Sequence, residues 1–409
     1  MKYIVVLGDG MADEPIEELA GKTPLEYADT PNLDRISKVS EIGMVKTVPE
    51  GMKPGSDTAN LAVLGYDPEK YYSGRSPLEA LSIGVPMEDT DIAFRCNVVT
   101  LSEEDTDFAD RTILDHSSSE ISTEDCTVLL QAAAEQFADP DYRFYAGTSY
   151  RHCLIWKKGK ILELTPPHDI LGRKIGEYLP KDPVLRKMME ESFRILKDHP
   201  MNLERKKKGL NPANCFWFWG AGTKPLLDSF AEKTGKKGMM VSAVDLLKGI
   251  AVGAGMGVAL VEGANGGLHT NYEGKVEAAV KAVTEDGYDF SYIHVEAPDE
   301  MGHQGSVARK VQAIEYLDTR VIGPVIEKMK KAGEDFRLMV LPDHPTPICL
   351  RTHTPDSVPY LIYDSTSPVE QSVPYSEAGG RLSGKHIGKG YTLMNHFLEL
   401  DTNPGSEKS

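Results

Sequence analysis

The apolar positions of this 409-residue chain change texture along its length. The N-terminus enters a short apolar run, Tyr3-Ile4-Val5-Val6-Leu7, that has the length of a buried strand and stops at Gly8-Asp9-Gly10. Thr30-Pro31 opens a helix, with Thr30 as cap and Pro31 at the first helical position. Residues 54–67 read as a loop, a helix start at Ser56 and a short helix ending at Gly65. From 238 onward the pattern becomes regular. Strands at 238–241, 257–261, 290–295 and 336–341 alternate with helices at 243–252, 274–285 and 307–331. This βα alternation predicts a mostly parallel sheet with helices on both faces.

Between about 89 and 200 the texture differs. Acidic and polar segments (102–110, 117–125) alternate with strand-like runs at 143–145 and 153–156, and a helix pattern follows at 183–197. Lys158-Gly159-Lys160 carries a hairpin signal, and the whole reads as an α+β unit. Because the core pattern resumes afterwards, this is an inserted domain. The expected division is a discontinuous core, 1–90 with 205–402, around an insert at 91–204. The segment 202–214 reads as a linker carrying Arg205-Lys206-Lys207-Lys208. Such a basic run is either a solvated face or a source of anion contacts. Cys215-Phe-Trp-Phe-Trp219 reads as an aromatic core strand, and the tail at 401–409 as frayed.

Composition narrows the partners. Apolar residues at 40% and charged residues at 26% describe a globular protein large enough for two domains. A net charge of −17 argues against a nucleic-acid or membrane surface, and means an anionic substrate needs local cations. The five cysteines are scattered and never form a C-x-x-C pair, as in a reduced cytoplasmic protein. The longest weakly polar run, 249–261, is too short to cross a bilayer.

Chemistry gathers beyond the carboxyl ends of strands in an open α/β sheet, and three predicted strands end alike. Tyr3-to-Leu7 leads to Asp9. Phe290-Ser-Tyr-Ile-His-Val295 leads to Glu296-Ala-Pro-Asp299-Glu-Met-Gly-His303, with Asp299 and His303 in a loop that a helical turn would bring onto one face. Leu338-Met-Val-Leu341 leads to Pro342-Asp343-His344, with His353 nine residues later. Each ending alone is compatible with turn chemistry, and Ser56 alone is compatible with a structural N-cap. Together the six carboxylates and imidazoles suit two divalent cations sharing one substrate. Ser56, at a helix start beside them, is then the natural nucleophile.

The set G-D-G, P-G-S-D-T-A-N, A-P-D-E-M-G-H, P-D-H and R-T-H-T resembles the alkaline phosphatase superfamily. More closely it resembles the archaeal-type cofactor-independent phosphoglycerate mutases, almost end to end. The resemblance implies an alkaline-phosphatase-like sheet and two metals, Mn2+ or else Mg2+, Zn2+ or Co2+. One would be held by Asp9, Ser56, Asp343 and His344, the other by Asp299, His303 and His353. It further implies Lys248 as a cation for a transferring phosphate and His116 for proton transfer. Arg151 and Arg205 are candidate substrate contacts, with surface salt bridges as the alternative. The implied reaction interconverts 3- and 2-phosphoglycerate through a phosphoserine, with the insert as lid. A related reading keeps the metals and changes the acceptor. The filler in D-E-M-G-H-Q-G and Pro345-Thr346-Pro347 looks like a bacterial branch proposed to phosphorylate homoserine; a phosphatase is a further variant. A non-catalytic metal scaffold has no use for Ser56.

Overall fold

The structure, a computed structural model, describes residues 1–400; the tail expected to fray lies outside them. In chain order the strands are β1 (Lys2–Gly8), β2 (Glu41–Val45), β3 (Ile92–Leu101), β4 (Ile113–Asp115), β5 (Tyr142–Thr148), β6 (Arg151–Trp156) and β7 (Cys215–Thr223). They continue as β8 (Gly238–Val241), β9 (Gly257–Ala259), β10 (Phe290–Val295), β11 (Phe336–Leu341), β12 (Val358–Asp364) and β13 (His386–Ile387).

The described residues form two compact units: Met1–Tyr72 together with 226–400, and Ser73–Pro225 between them in sequence. The second unit extends beyond the 91–204 read from composition at both ends. Helix Arg75–Ser82 packs on β3 and β7, and β7 pairs antiparallel with β3 from Cys215 to Thr223, so both flanks are drawn into it.

The first unit is built on an eight-stranded sheet in the order β13-β2-β12-β11-β1-β10-β8-β9. The expected mostly parallel α/β sheet is present: β11, β1, β10, β8 and β9 run parallel, while β12 is antiparallel to β11 and β2. β1 lies between β10 and β11, pairing Leu7 with both His294 and Leu341, so three strands end side by side. β10 and β11 are buried at every position, as a parallel strand covered on both faces must be.

Two local readings are revised. The helix predicted over 307–331 contains a π turn, Asp318–Ile322, between Val307–Leu317 and Gly323–Lys331. Pro324 has no N–H to continue the ladder, and the widened turn coincides with it. The Asp318 carboxylate also accepts from the backbone N–H groups of Asn32 (3.1 Å) and Leu33 (2.7 Å), capping helix Pro31–Ser37 from outside. Thr30 makes no cap bond; its hydroxyl donates to Asp34 instead.

The second unit holds the order β4-β3-β6-β5, with β7 on β3, and an apolar core closed by helices Thr123–Phe137 and Pro183–Leu196. Its hairpin joins β5 to β6 through Ser149 and Tyr150, with Ser149 at φ 56°, and not through Lys158-Gly159-Lys160, beyond which no strand follows until β7. The segment 202–214 is not all linker, because helix Pro200–Lys207 carries most of the basic run in its last turn, where cations suit the dipole.

One buried carboxylate ties distant segments of the first unit together. Glu377, at the start of helix Glu377–Leu382, accepts from the Asp13 N–H (3.1 Å) and the Thr23 hydroxyl (2.8 Å). Burial pushes its carboxyl from 4.5 up to about 7, outweighing those bonds. Its ionised form is therefore disfavoured in the folded state, and stability falls as pH rises from the unfolded to the folded value. Glu377→Gln should remove a loss on the order of 3 kcal/mol between pH 5 and 8, read from urea unfolding midpoints. Parallel pH profiles for the two proteins would contradict this.

Candidate active site

The parallel register brings Asp9, Asp299 and Asp343 to one edge of the sheet, all nearly inaccessible to solvent. Gly10 makes this approach feasible. It lies at φ 61°, and a Cβ there would meet Asp299 Oδ1 at 2.6 Å and Asp299 Cα at 2.8 Å. Its N–H donates to Asp343 Oδ1 (3.0 Å), which also accepts from the His344 N–H (2.9 Å). Asp343 Oδ2 accepts from Asn60 Nδ2 (3.0 Å), whose Oδ1 in turn accepts from the Tyr292 hydroxyl (2.6 Å).

Ser56 is the first residue of helix Ser56–Val63, one place inside its N-cap Gly55. Its Oγ lies 3.3 and 3.2 Å from the two Asp9 oxygens and 3.2 Å from His344 Nε2. The structural N-cap alternative is thereby set aside: the hydroxyl faces the acidic cluster. His344 Nδ1 lies 3.1 Å from the Pro345 carbonyl, which only accepts, so Nδ1 carries the proton and Nε2 turns a lone pair to Ser56.

Asp299 and His303 lie on helix Ala297–His303, not in a loop, one turn apart and 3.2 Å from each other. Pro298 sits at the helix start, where its missing N–H is harmless. His353 Nε2 is 3.2 Å from Asp299 Oδ1 and 3.0 Å from His303 Nε2. Arg351 takes a left-handed backbone (φ 53°), and its carbonyl meets His303 Nδ1 at 2.9 Å. Thr346 joins the halves, donating to Asp299 Oδ1 (2.5 Å) and lying 3.3 Å from His344 Nδ1.

Charge is unevenly balanced. Burial, with Asp343, Asp299 and Glu296 nearby, pushes the Asp9 carboxyl well above the carboxylate range. Burial also pushes Asp299 up, but hydrogen bonds from His303 and His353 outweigh it and hold this group well below that range. Asp299 in turn raises His303 to about 9, while burial lowers His344. Crowded carboxylates with imidazole Nε2 atoms turned among them suit hard or borderline divalent cations. Among the described residues two groups have donor atoms within 4.8 Å of one another: Asp299, His344 and His353, and Asp9, His294 and Asp343. His344 therefore lies on the seam, 3.4 Å from Asp9 and 3.3 Å from Asp343 as well.

Similarity to known proteins accords with this geometry. The family model for 2,3-bisphosphoglycerate-independent phosphoglycerate mutase matches residues 37–202. A protein of that name from Methanosarcina barkeri is 47% identical over 368 residues, covering 89% of this chain and 90% of its own. Another from Methanothrix thermoacetophila is 44% identical over 401 residues, covering 97% and 100%. The chain belongs to the 2,3-bisphosphoglycerate-independent phosphoglycerate mutase family. Among solved structures, a Pyrococcus horikoshii protein aligns with TM-score 0.81 at 27% identity, covering 98% of each chain. The cofactor-independent phosphoglycerate mutase of Thermoplasma acidophilum aligns with TM-score 0.65 at 27% identity, covering 98% and 100%.

Within this family member, the remaining candidates fall into different settings. Lys248 lines a cavity of about 340 Å³ with Ser242, Ala243 and Glu262, its ammonium 3.7 Å from Asp245. In the second unit, His116 packs edge-on against Tyr150 (5.8 Å between rings) and His168 (6.1 Å), and the Arg151 guanidinium lies 4.5 Å over Tyr150. His116 and Arg151 thus share one cluster. Arg205 is placed otherwise. It is 7% exposed, and its Nε and one Nη donate to the carbonyls of Asn211 (3.1 Å) and Ser118 (2.6 Å), so it clamps two loops. A basic run on a helix buries whichever member faces the core, and the run alone does not say which.

Sequence reasoning missed His294, Asn60 and Thr346. His294 left a signal, a polar residue inside an otherwise apolar strand; Asn60 and Thr346 stood within quoted motifs but were given no role. A thiol–imidazole contact in the second unit, Cys126 Sγ to His152 Nε2 (3.1 Å), has no nucleophilic use. His152 Nδ1 accepts the Gly147 N–H (2.9 Å), so Nε2 carries the proton and cannot take one from the thiol. Burial pushes Cys126 up to about 12 and His152 down to about 4. Cys349 is exposed and the other four cysteines are buried. Iodoacetamide on the native protein should therefore label Cys349 first by peptide mass mapping; early labelling of Cys126 would revive a reactive dyad.

Proposed function

We propose that this chain is a metal-dependent phosphoglycerate mutase that interconverts 3-phosphoglycerate and 2-phosphoglycerate through a phosphoserine on Ser56. The observation that carries the reading is Ser56 Oγ, held at a helix start within 3.3 Å of Asp9 and 3.2 Å of His344 in a chain of this family. Asp9, Ser56, Asp343 and His344 would hold one divalent cation and Asp299, His303 and His353 a second, Mn2+ being the assignment. Bound there, the cations would acidify the Ser56 hydroxyl and offset charge on a transferring phosphoryl group.

Ser56 Oγ attacks phosphorus, forming the serine O–P bond as the ester O–P bond breaks, and the glycerate is released within the site. Its other hydroxyl then takes the phosphoryl group back, regenerating Ser56. The N-terminal end of helix Ser56–Val63 favours the negative charge that develops on the phosphoryl oxygens. Asn60 and Thr47 keep Asp343 in place, the latter by donating to its carbonyl (2.5 Å). Lys248 is assigned to the transferring phosphate, His116 to proton transfer and Arg151 to the substrate carboxylate. Water must be excluded while glycerate turns over, since its capture converts a mutase into a phosphatase. The enzyme is read as cytoplasmic and glycolytic. Five cysteines without a disulfide support a reducing compartment, and no helix among the described residues is long and apolar enough to cross a membrane.

Purified protein supplied with Mn2+ should interconvert the two phosphoglycerates, and a chelator should stop it. Turnover only with homoserine and a phosphoryl donor, or net phosphate release from many esters, would refute the mutase assignment. Ser56→Ala should cost roughly a thousandfold or more in kcat while bound metal stays near two equivalents; retained turnover would remove Ser56 as nucleophile. His344→Ala and His353→Ala should each deplete a different metal, read by Mn2+ titration and metal analysis. Loss of the same metal in both variants would collapse the two-set assignment.

A further inference from the structure

His294 sits deep in β10 with its side chain fully buried. Its Nε2 lies 2.7 Å from Asp9 Oδ2, and its Nδ1 lies 3.1 Å from Ser242 Oγ. An ionised Asp9 carboxylate only accepts, so the proton between them sits on His294 Nε2, and Ser242 Oγ, which also accepts the Val244 N–H (3.0 Å), donates to the bare Nδ1. An imidazole that accepts at Nδ1 carries its proton at Nε2. Nε2–H therefore donates to Asp9 Oδ2 and has no lone pair for a cation, while Nδ1 is turned away toward Ser242. The backbone is fixed as well: Lys275 Nζ donates to the His294 carbonyl (2.9 Å), and the Asp9 N–H donates to the Val295 carbonyl (2.9 Å).

We propose that His294 is a positioning residue for Asp9, a hydrogen-bond donor that holds one carboxylate oxygen so that Oδ1 stays with Ser56 and His344, and that it is not itself a metal ligand although its donor atoms cluster with those of Asp9 and Asp343. The relay runs Ser242 O–H to His294 Nδ1, then His294 Nε2–H to Asp9 Oδ2. It rests on the assignment of Asp9 as a metal ligand. Carboxylates in metal sites need such partners, because an unanchored one adopts orientations that do not bind.

Two neutral replacements separate donation from ligation. His294→Gln keeps an N–H at the reach of Nε2, on an amide nitrogen that cannot ligate. His294→Asn reaches only toward Ser242. Co2+ titration followed by visible absorption, with metal analysis of the dialysed proteins, reads both sites. The wild-type protein should bind two Co2+, and failure to bind any would overturn the assignment of Asp9, a result distinct from those below. In His294→Asn, one of the two Co2+ should bind roughly 10- to 100-fold more weakly and the other unchanged. His294→Gln should stay within roughly threefold of wild type, with the wild-type absorption bands. Equal weakening in both variants, or altered bands in His294→Gln, would make the imidazole a ligand and overturn the proposal. Wild-type affinity in His294→Asn would remove any role. Ser242→Ala, which leaves the ring and Asp9 in place, should weaken the same Co2+ by less than His294→Asn does; no effect would overturn the relay.

Discussion

Three carboxylates almost wholly shielded from water at the ends of three adjacent strands repel one another, and the core unit is arranged around that repulsion. Asp343 is satisfied by two backbone N–H groups and the Asn60 amide. Asp299 leans on His303, His353 and Thr346. Asp9 has His294, the Ser56 hydroxyl and, at 3.4 Å, His344 Nε2, and among the described residues no lysine or arginine forms an ion pair with it. It remains the least compensated of the three, which is why burial drives it toward its neutral form while Asp299 goes the other way. Divalent cations would resolve this conflict, whereas buried salt bridges would leave nothing for a substrate.

The same edge is braced from behind by a buried ion pair. Lys310 is fully buried, and its ammonium donates to Asp13 (2.9 Å) and to the carbonyl of Thr346 (2.9 Å). Thr346 in turn holds Asp299. A lysine with its charge paired and its remaining donors filled by carbonyls stiffens the loops that follow β1 and β11. The rigidity of the site thus comes from groups one layer removed from the chemistry, on helix Val307–Leu317 and helix Glu377–Leu382.

Much of this was legible in advance, for different reasons. The βα alternation after residue 238 exposed the sheet because fully buried strands must be apolar runs. Asp9, Asp299, Asp343 and their histidines stood out because polar residues just beyond such runs have few structural reasons to be there. The burial of Arg205 was not legible, because a basic run looks alike whether its members face water or the core. Thr30 looked like a cap because the residue that caps that helix, Asp318, is 288 positions away in sequence.

By itself the sequence determined the strand and helix alternation, the break in texture that marks the insert, and the identity of nearly every chemical group at the strand ends. These are properties of local pattern, written within a few residues of each group. Only the tertiary structure decided that β1 lies between β10 and β11, that His344 stands on the seam of the two carboxylate–imidazole clusters, and that His294 and Thr346 lie against them. Strand order and cross-strand hydrogen bonds join residues hundreds of positions apart, and no local pattern encodes which carboxylate a buried imidazole will meet.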